Sequence, residues 1–317
     1  MKKIILDCDP GHDDMIAIIL ACSSDEIDLM GITTVAGNQT GDKTFINTLK
    51  VLTLINRIDI PVARGFDKPI FRKLTVAPRI HGVSGLDGAD LPEPKTELLN
   101  RVKTLNIHAV DFIIKSVKES DEKVTIVPTG PLTNIAIALL KEPLIKDNID
   151  RIILMGGAVY DSNITPASEF NIYVDPEAAK IVFESGIPIT MVGLDVTNKA
   201  ILTFKDIEEL NNLQGRVSGV IAPLLKFFAQ ANKDFFGIGG APLHDALAVS
   251  YIIMPDIIKT KYLNVTIETE GKHTRGRTVV DVYNITGKEP NVDVAFKVNS
   301  LAFKKLIMNT IKKLDQR

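Results

Sequence analysis

Four aspartates, Asp7, Asp9, Asp13 and Asp14, lie close together near the start of the chain. The apolar run before them predicts a strand that ends at residue 8, and the Pro-Gly pair at 10–11 predicts a turn into a helix. The four carboxylates therefore converge at the end of the strand. Like charges so close repel strongly unless a cation lies among them. Because carboxylates select hard cations, this segment, called the acidic loop (residues 7–14), predicts a Ca²⁺ or Mg²⁺ site.

Helix capping is the alternative interpretation of the acidic loop. Aspartate at a helix start satisfies free N–H groups and the helix dipole, which accounts for Asp13 and Asp14. It does not account for Asp7 and Asp9 at the end of a buried strand. An EF-hand is excluded, because positions 6 and 12 counted from Asp7 are histidine and isoleucine. Zn²⁺ would need cysteine or paired histidine ligands, which do not occur at such spacing.

Other polar residues follow predicted strands. Asn38 follows the strand 27–35, Thr129 lies in a strand-to-helix turn, and Met155 ends a strand before two glycines. Ligands bind at the carboxyl ends of strands in open α/β sheets. The Asn38 amide can bond sugar hydroxyls or a water, or it can cap a turn or helix, and the spacing leaves both open. A backbone carbonyl of the turn around Thr129 can join a Ca²⁺ shell.

The tripeptide Glu169, Phe170 and Asn171 precedes a predicted helix that begins at residue 176. If the tripeptide is extended, Glu169 and Asn171 face one way and Phe170 faces the other. This arrangement suits the recognition of hydroxyls beside an apolar wall. A solvated loop is the alternative.

Three histidines, His12, His81 and His244, lie at the edges of predicted loops. His81 lies in the long segment 65–95, which is rich in Pro and Gly and typical of a lid or binding loop. His244 and Asp245 begin an apolar helix. A histidine can donate a proton near neutral pH, but any of the three can also be a solvated surface residue. Asp245 can be a simple helix cap.

Strand and helix patterns alternate over the first two thirds of the chain. The alternation predicts an α/β fold in one domain over residues 1–317, with an open, mostly parallel Rossmann-like sheet and helices on both faces. A smaller helical and β-rich part follows residue 196. The predicted strands are 4–8, 27–35, 124–127, 151–155, 189–192, 262–268 and 276–282. The predicted helices are 13–22, 42–56, 107–118, 132–140, 176–184 and 300–314, with a mainly helical stretch at 205–251.

The composition is that of a globular protein of 317 residues with a net charge of −2. This charge offers no footprint for nucleic acid or for an anionic membrane surface. Two cysteines, Cys8 and Cys22, form no disulfide framework, which favours a reducing compartment. The apolar run at 4–6 is too short for a signal peptide, and no run is long enough to span a bilayer. We therefore expect a cytoplasmic protein.

Taken together, these segments resemble the nucleoside hydrolase family, the N-ribosyl hydrolases of the inosine–uridine type, over essentially the whole chain. The resemblance implies a Ca²⁺ ion held by the carboxylates of Asp9, Asp14 and Asp245 and by the main-chain carbonyl of Thr129. It implies that Asp9 also activates the attacking water and that His244 protonates the leaving base. The implied substrate-binding residues are Asp13, Asn38, His81, Met155, Asn163, Glu169, Phe170, Asn171, Asn232 and Phe236.

The choice of nucleoside follows from finer resemblances. Some family members stack purines on tryptophan, and this chain has none. The segments 81–88 and 241–245 look most like bacterial members that prefer uridine and cytidine. The helix before His244 departs from them, because residues 230–236 lack an expected tyrosine. A non-specific inosine–uridine hydrolase is therefore the alternative. Family members are commonly dimers or tetramers, which implies a homo-oligomer here.

Two other functions compete with this interpretation. The Asp7-x-Asp9 pair superficially suits a phosphohydrolase of the haloacid dehalogenase type, but the following Pro-Gly and the doubled Asp13-Asp14 fit that family poorly. A non-catalytic nucleoside-binding protein would not need a cation that activates water. The complete set of carboxylates together with His244 argues against it.

Overall fold

The apolar run before the acidic loop forms a strand that is buried from residue 4 to residue 8. A computed structural model describes residues 1–316. The strands are β1 (Lys2–Cys8), β2 (Ile27–Thr34), β3 (Val62–Arg64), β4 (Val124–Pro128), β5 (Ile149–Met155), β6 (Ile189–Val192), β7 (Ile201–Thr203), β8 (Gly240–Pro242), β9 (Ile258–Leu263), β10 (Val265–Ile267), β11 (Thr278–Val280) and β12 (Val292–Val298). The α-helices are α1 (His12–Ser23), α2 (Gly41–Leu54), α3 (Pro78–His81), α4 (Thr96–Leu105), α5 (Ala109–Glu119), α6 (Thr133–Lys141), α7 (Phe170–Val174), α8 (Pro176–Phe183), α9 (Leu194–Thr197), α10 (Phe204–Asn211), α11 (Ser218–Phe236), α12 (His244–Ile253) and α13 (Ser300–Asp315).

Eight strands form the main sheet, in the order β3-β2-β1-β4-β5-β6-β12-β9. All neighbouring pairs are parallel except β12 and β9, which are antiparallel. The predicted open, mostly parallel sheet is confirmed. The strand order reverses at β1, which has β2 on one side and β4 on the other. A crevice outside the carboxyl ends of the strands is expected at such a reversal, and the acidic loop leaves β1 there.

Apolar cores lie on both faces of the sheet. Alternate residues of β1 supply them, since Ile4 and Leu6 belong to one core and Ile5 to the other. Helix α1 is buried along almost its whole length, as its nearly uniform apolar sequence predicts. The central strands and α1 therefore form a rigid base for the loops at the carboxyl edge.

The C-terminal part corrects one feature of the prediction. β12 was not expected, and it joins β9 to the main sheet beside β6. Its sequence carries an aspartate and a lysine, so only part of the strand is buried, and the apolar run is broken. The predicted strand 262–268 is divided between β9 and β10, and β10 pairs with β11 in a separate hairpin.

The helical stretch predicted at 205–251 consists of three helices, α10, α11 and α12. A short strand, β8, interrupts it and pairs antiparallel with β7. This small two-stranded sheet places the start of α12 beside the end of α9. Within residues 1–316, no helix combines the length and the apolar character that a membrane crossing requires.

Candidate active site

Asp14 both caps α1 and belongs to a buried carboxylate group. Its Oδ2 accepts hydrogen bonds from the backbone N–H of Gly11 at 3.0 Å and from Nδ2 of Asn38 at 3.2 Å. Its Oδ1 accepts a hydrogen bond from the Thr129 hydroxyl at 2.8 Å. The two interpretations of the acidic loop are therefore compatible, since one aspartate caps the helix and still faces the other carboxylates.

Asp245 joins the acidic loop from the start of α12. One carboxylate oxygen from each of Asp13, Asp14 and Asp245 lies within 4.8 Å of the others. Asp9 stands close by, and its Oδ2 accepts a hydrogen bond from the backbone N–H of Asn38 at 2.6 Å. Within the described residues, Oδ1 of Asp9 and Oδ1 of Asp13 are buried without any hydrogen-bond partner. Asp9, Asp13, Asp14 and Asp245 are called the acidic cluster below.

Burial raises the pKa of every carboxyl group in the acidic cluster. The pKa values of Asp9 and Asp245 lie well above the ordinary range, and that of Asp13 rises to about 7. Burial also raises the pKa of Asp14, although its hydrogen bonds oppose the effect. For the other three, the charges of neighbouring carboxylates add to the effect of burial. A cation in the cluster would offset both, and the orphaned oxygens supply the hard ligands that it requires.

Asp7 lies outside the acidic cluster. Its Oδ1 accepts hydrogen bonds from the Thr33 hydroxyl at 2.6 Å and from Nδ2 of Asn134 at 2.8 Å. Its backbone carbonyl accepts the N–H of Thr129 at 2.8 Å. Burial raises its pKa to about 7. Asp7 thus ties β1 to β2 and to the turn after β4, beneath the site.

The acidic cluster can hold a metal ion, but its geometry differs in detail from the expected ligand set. The tightest group contains Asp13, which was expected to bind the ribose, and does not contain Asp9. The main-chain carbonyl of Thr129 accepts Nδ2 of Asn171 at 2.7 Å. A carbonyl oxygen has two lone pairs, so this hydrogen bond leaves one available for a further ligand.

Glu169 and Asn171 are fixed by backbone contacts at the start of α7. Oε2 of Glu169 accepts the N–H groups of Gly157 and Ile172, and Oε1 accepts that of Asn171. Burial raises the pKa of Glu169 to about 7 against the effect of these hydrogen bonds. Nδ2 of Asn171 also donates to the carbonyl of Met155 at 3.1 Å. The tripeptide is therefore the buried N-cap and start of α7, and neither an extended segment nor a solvated loop.

A cavity of about 860 Å³ opens above the acidic cluster. Every residue expected in the site lines it except Asp9 and Asp14, which are buried beneath its floor. A hydrogen bond fixes the side chain of Asn163, because its Oδ1 accepts the backbone N–H of Phe170 at 2.8 Å. The expected residues that line the cavity are Asp13, Asn38, His81, Thr129, Met155, Asn163, Glu169, Phe170, Asn171, Asn232, Phe236, His244 and Asp245.

His81 is buried in one wall of the cavity, at the end of α3. Its Nδ1 accepts the backbone N–H of His12 at 3.3 Å. Its ring stacks on those of His12 and Phe228, with centroid distances of 5.5 and 5.3 Å. Burial lowers the pKa of His81 well below its ordinary value. The long segment 65–95 thus contains a short ordered helix where the sequence suggested only a loop.

One face of α11 supplies another wall. Phe228, Asn232 and Phe236 are spaced four residues apart and all line the cavity. Asn232 is buried, and its Nδ2 donates to the carbonyl of Phe228 at 2.9 Å. Phe236 is half exposed at the mouth. Phe228 was missed from the sequence, although its helical spacing from Asn232 was a signal that could have found it.

His244 lines the cavity at the first turn of α12. Its Nδ1 lies 2.7 Å from the hydroxyl of Thr197, the last residue of α9. Burial lowers the pKa of His244 to about 4, so its imidazole is neutral near pH 7. Thr197 was also missed, because no local pattern connects it to His244. The pairing of β7 with β8 and the hydrogen bond from the Leu243 N–H to the Ala200 carbonyl bring the two together.

Comparison with known proteins identifies relatives along the whole chain. Residues 4–305 match the family model described as inosine-uridine preferring nucleoside hydrolase. The chain is 49% identical over 310 residues to the pyrimidine-specific ribonucleoside hydrolase RihA of Escherichia coli O1:K1, which covers 98% of each protein. It resembles the solved purine-preferring ribonucleoside hydrolase from Gardnerella vaginalis with a TM-score of 0.89, at 36% identity and 99% coverage of each chain. The plant nucleoside hydrolase PpNRh1 gives the same TM-score at 31% identity, with 98% of each chain covered.

The activity named for these relatives, nucleoside hydrolysis, is consistent with a cavity lined by carboxylates. The family match covers nearly the whole chain, and the E. coli relative aligns almost end to end. The resemblance derived from the sequence motifs is therefore confirmed, and so is the assignment as an enzyme that hydrolyses N-ribosyl bonds. The chain belongs to the inosine-uridine preferring nucleoside hydrolase family and is a ribonucleoside hydrolase.

Proposed function

We propose that this ribonucleoside hydrolase depends on Ca²⁺ and prefers pyrimidine nucleosides, releasing ribose and free base from uridine and cytidine. The observation that carries the calcium proposal is the acidic cluster, in which Asp9 and Asp13 each keep a buried oxygen without a partner in the described chain. The pyrimidine preference is supported by the 49% identity to an enzyme described as pyrimidine-specific. The lack of tryptophan also argues against purine stacking.

Asp9, Asp14 and Asp245 would hold the ion, together with the main-chain carbonyl of Thr129. The bound ion would lower the pKa of the attacking water and orient the sugar diol. Asp13 belongs to the same cluster and lines the cavity, so it would face both the ion and the ribose. Oxygen ligands alone are what Ca²⁺ selects.

Asp9 would remove a proton from the attacking water. The Asn38 N–H holds its Oδ2, so Oδ1 is the oxygen available as a base. Burial raises the pKa of Asp9, which would make its carboxylate a stronger proton acceptor once a bound cation keeps it ionised. The water oxygen would bond to C1′ of the ribose as the C1′–N bond breaks. The electron pair of the C1′–N bond would leave with the base.

The ribose and the base would occupy different ends of the cavity. Asn163, Glu169 and Asn171 would bind ribose hydroxyls, with Asn38 near the water and Met155 beneath the sugar. His244 would donate a proton to the departing base, and His81 would line the base pocket. Phe170, Asn232 and Phe236 complete the proposed substrate-binding set, and all three line the cavity.

The assembly and location of the protein rest on the resemblance and the composition. We propose one domain over residues 1–317, a homodimer or homotetramer, and a cytoplasmic location. The two cysteines are free and buried, which agrees with a reducing compartment. Sedimentation equilibrium would test the assembly, and a monomer at all concentrations would contradict it.

The proposed function is tested by ribose release from a panel of uridine, cytidine, inosine and adenosine with Ca²⁺ present. We expect reducing sugar from uridine and cytidine at higher kcat/KM than from the purines. Equal turnover of inosine would indicate the non-specific alternative. Absence of ribose from all four nucleosides would reject the proposal.

A further inference from the structure

Thr197 is buried, and its hydroxyl faces the ring of His244. The distance from Oγ1 to Nδ1 is 2.7 Å, which is a short hydrogen bond. Both backbone polar groups of Thr197 have hydrogen-bond partners, since its N–H donates to the carbonyl of Gly193 and its carbonyl accepts the N–H of Ala200. Within residues 1–316, His244 is the one polar group recorded at hydrogen-bond distance from this hydroxyl.

The direction of this hydrogen bond follows from counting protons. A threonine hydroxyl has one proton and accepts with its lone pairs, whereas a neutral imidazole has one N–H and one acceptor nitrogen. If Nδ1 of His244 donated, the hydroxyl proton of Thr197 would be buried without an acceptor, at a cost of about 1–3 kcal/mol. If the hydroxyl donates, both groups are satisfied. Nδ1 is then the acceptor, and the ring proton is on Nε2.

The fold keeps the pair in place. Thr197 ends α9, and the N–H of Leu243, the residue before His244, donates to the carbonyl of Ala200 at 2.9 Å. The strands β7 and β8 begin and end beside these residues and pair with each other. The ring of His244 is therefore held between a buried hydroxyl at Nδ1 and the cavity that it lines.

We infer that Thr197 is a positioning residue that keeps His244 in the tautomer with the proton on Nε2, so that the imidazole donates to the departing base. This inference rests on the proposed role of His244 as the proton donor. The Nε2–H passes its proton to the base as the C1′–N bond breaks while a solvent proton is delivered to the ring, so that the imidazole is neutral before and after the step. Without the hydroxyl, the neutral ring can place its proton on either nitrogen, and only one tautomer is productive.

Two substrates separate positioning from a structural effect. Uridine has a leaving base that needs a proton, whereas p-nitrophenyl β-D-riboside has a leaving group that departs as a stable anion. For Thr197→Val we expect kcat with uridine to fall about 10- to 100-fold, part of the 10²- to 10⁴-fold that acid–base catalysis contributes. The kcat with the nitrophenyl riboside should change less than about 2-fold, because it requires no acid. Thr197→Ser keeps the hydroxyl and should restore uridine turnover.

A matched control removes a buried hydroxyl elsewhere. Thr190 lies in β6, is fully buried and does not line the cavity. Thr190→Val should leave the ratio of the two activities unchanged. Equal losses on uridine and on the nitrophenyl riboside in Thr197→Val would show a structural role and overturn the inference. Wild-type uridine turnover in Thr197→Val would overturn it as well.

The tautomer of His244 can be determined by NMR spectroscopy, independently of any activity assay. In the protein labelled with ¹⁵N-histidine, long-range ¹H–¹⁵N spectra distinguish the protonated ring nitrogen, and His244→Gln assigns the signal. We expect the proton on Nε2 in the wild type and in Thr197→Ser, and a shift toward Nδ1 in Thr197→Val. A proton on Nδ1 in the wild type would overturn the inference even if every variant failed to fold. If the wild type cleaves no nucleoside, the proposed function fails separately from this spectroscopic result.

Discussion

The backbone N–H of His12 donates to Nδ1 of His81 at 3.3 Å and so joins the acidic loop to the wall of the cavity. His12 is itself anchored, because its Nε2 lies 2.8 Å from the carbonyl of Asp87 in the turn that follows His81. Gly11 makes the contact possible. A Cβ atom at this position would lie 2.4 Å from Nδ1 of His81.

Replacement of Gly11 by alanine should displace His81. Overpacking of this kind costs about 1–3 kcal/mol, so we expect a lower unfolding midpoint and a higher KM for uridine. Gly219 in α11 is the control, because a Cβ there meets nothing within 4 Å. Gly219→Ala should raise the free energy of unfolding by up to about 1 kcal/mol. If Gly11→Ala matches the wild type in both measurements, the contact is unimportant.

Asp9→Asn should abolish most of the activity while preserving the fold. The amide cannot accept the proton of the attacking water, so kcat should fall about 10²- to 10⁴-fold. The thermal midpoint without Ca²⁺ should not fall, since one of several repelling carboxylates has been neutralised. Asp147→Asn, at an exposed site, controls for the loss of charge. Retention of more than a tenth of wild-type kcat would argue against Asp9 as the base.

Calcium should stabilise the folded protein through the acidic cluster. Binding to the folded state alone contributes about 2.7 kcal/mol when free Ca²⁺ is 100 times Kd. We therefore expect the thermal midpoint to rise with Ca²⁺ and to return after chelation, and we expect Asp245→Asn to abolish the rise. An unchanged midpoint in the wild type at millimolar Ca²⁺ would contradict the site.

Asp9 and Asp13 are the two candidates for the third carboxylate ligand beside Asp14 and Asp245. Calorimetric measurement of Ca²⁺ binding to variants distinguishes them. The resemblance implies Asp9, whereas the tightest carboxylate group contains Asp13. We expect Asp9→Asn to weaken Ca²⁺ binding and Asp13→Asn mainly to raise KM for uridine. The reverse pattern would exchange the roles of the two aspartates.

Phe236 should contribute to base binding from the mouth of the cavity. Loss of an aromatic contact is worth about 0.5–1.5 kcal/mol, so Phe236→Ala should raise KM for uridine about 2- to 10-fold with little change in kcat. Phe71→Ala is the control, since Phe71 is 77% exposed and does not line the cavity. Equal KM values for the two variants would remove Phe236 from the site.

Local patterns predicted the parts of the structure in which the chain itself carries the signal. Strand–helix alternation predicted that the acidic loop lies at the carboxyl edge of a parallel sheet. The structure has it there, at the end of β1, where the strand order reverses. Strand β12 escaped prediction because its charged residues mask a half-buried strand. Its position beside β6 depends on packing between distant segments.

In the active site, too, local sequence patterns predicted some residues, and contacts between distant segments were not predicted. Motifs identified the carboxylates and His244, but the partners that hold them were not visible in the sequence. Asn134 bonds Asp7 across 127 residues, and Thr197 lies 47 residues before His244. Such contacts arise from strand pairing and loop packing, which leave no periodic signal in the chain.

The most direct test of the account is the release of ribose from uridine by protein stripped of metal, measured before and after the addition of Ca²⁺. The account predicts negligible release from the stripped protein and recovery of full turnover with Ca²⁺, with uracil and ribose formed in equal amounts. Full turnover by the stripped protein, or no turnover after Ca²⁺ is added, would contradict it.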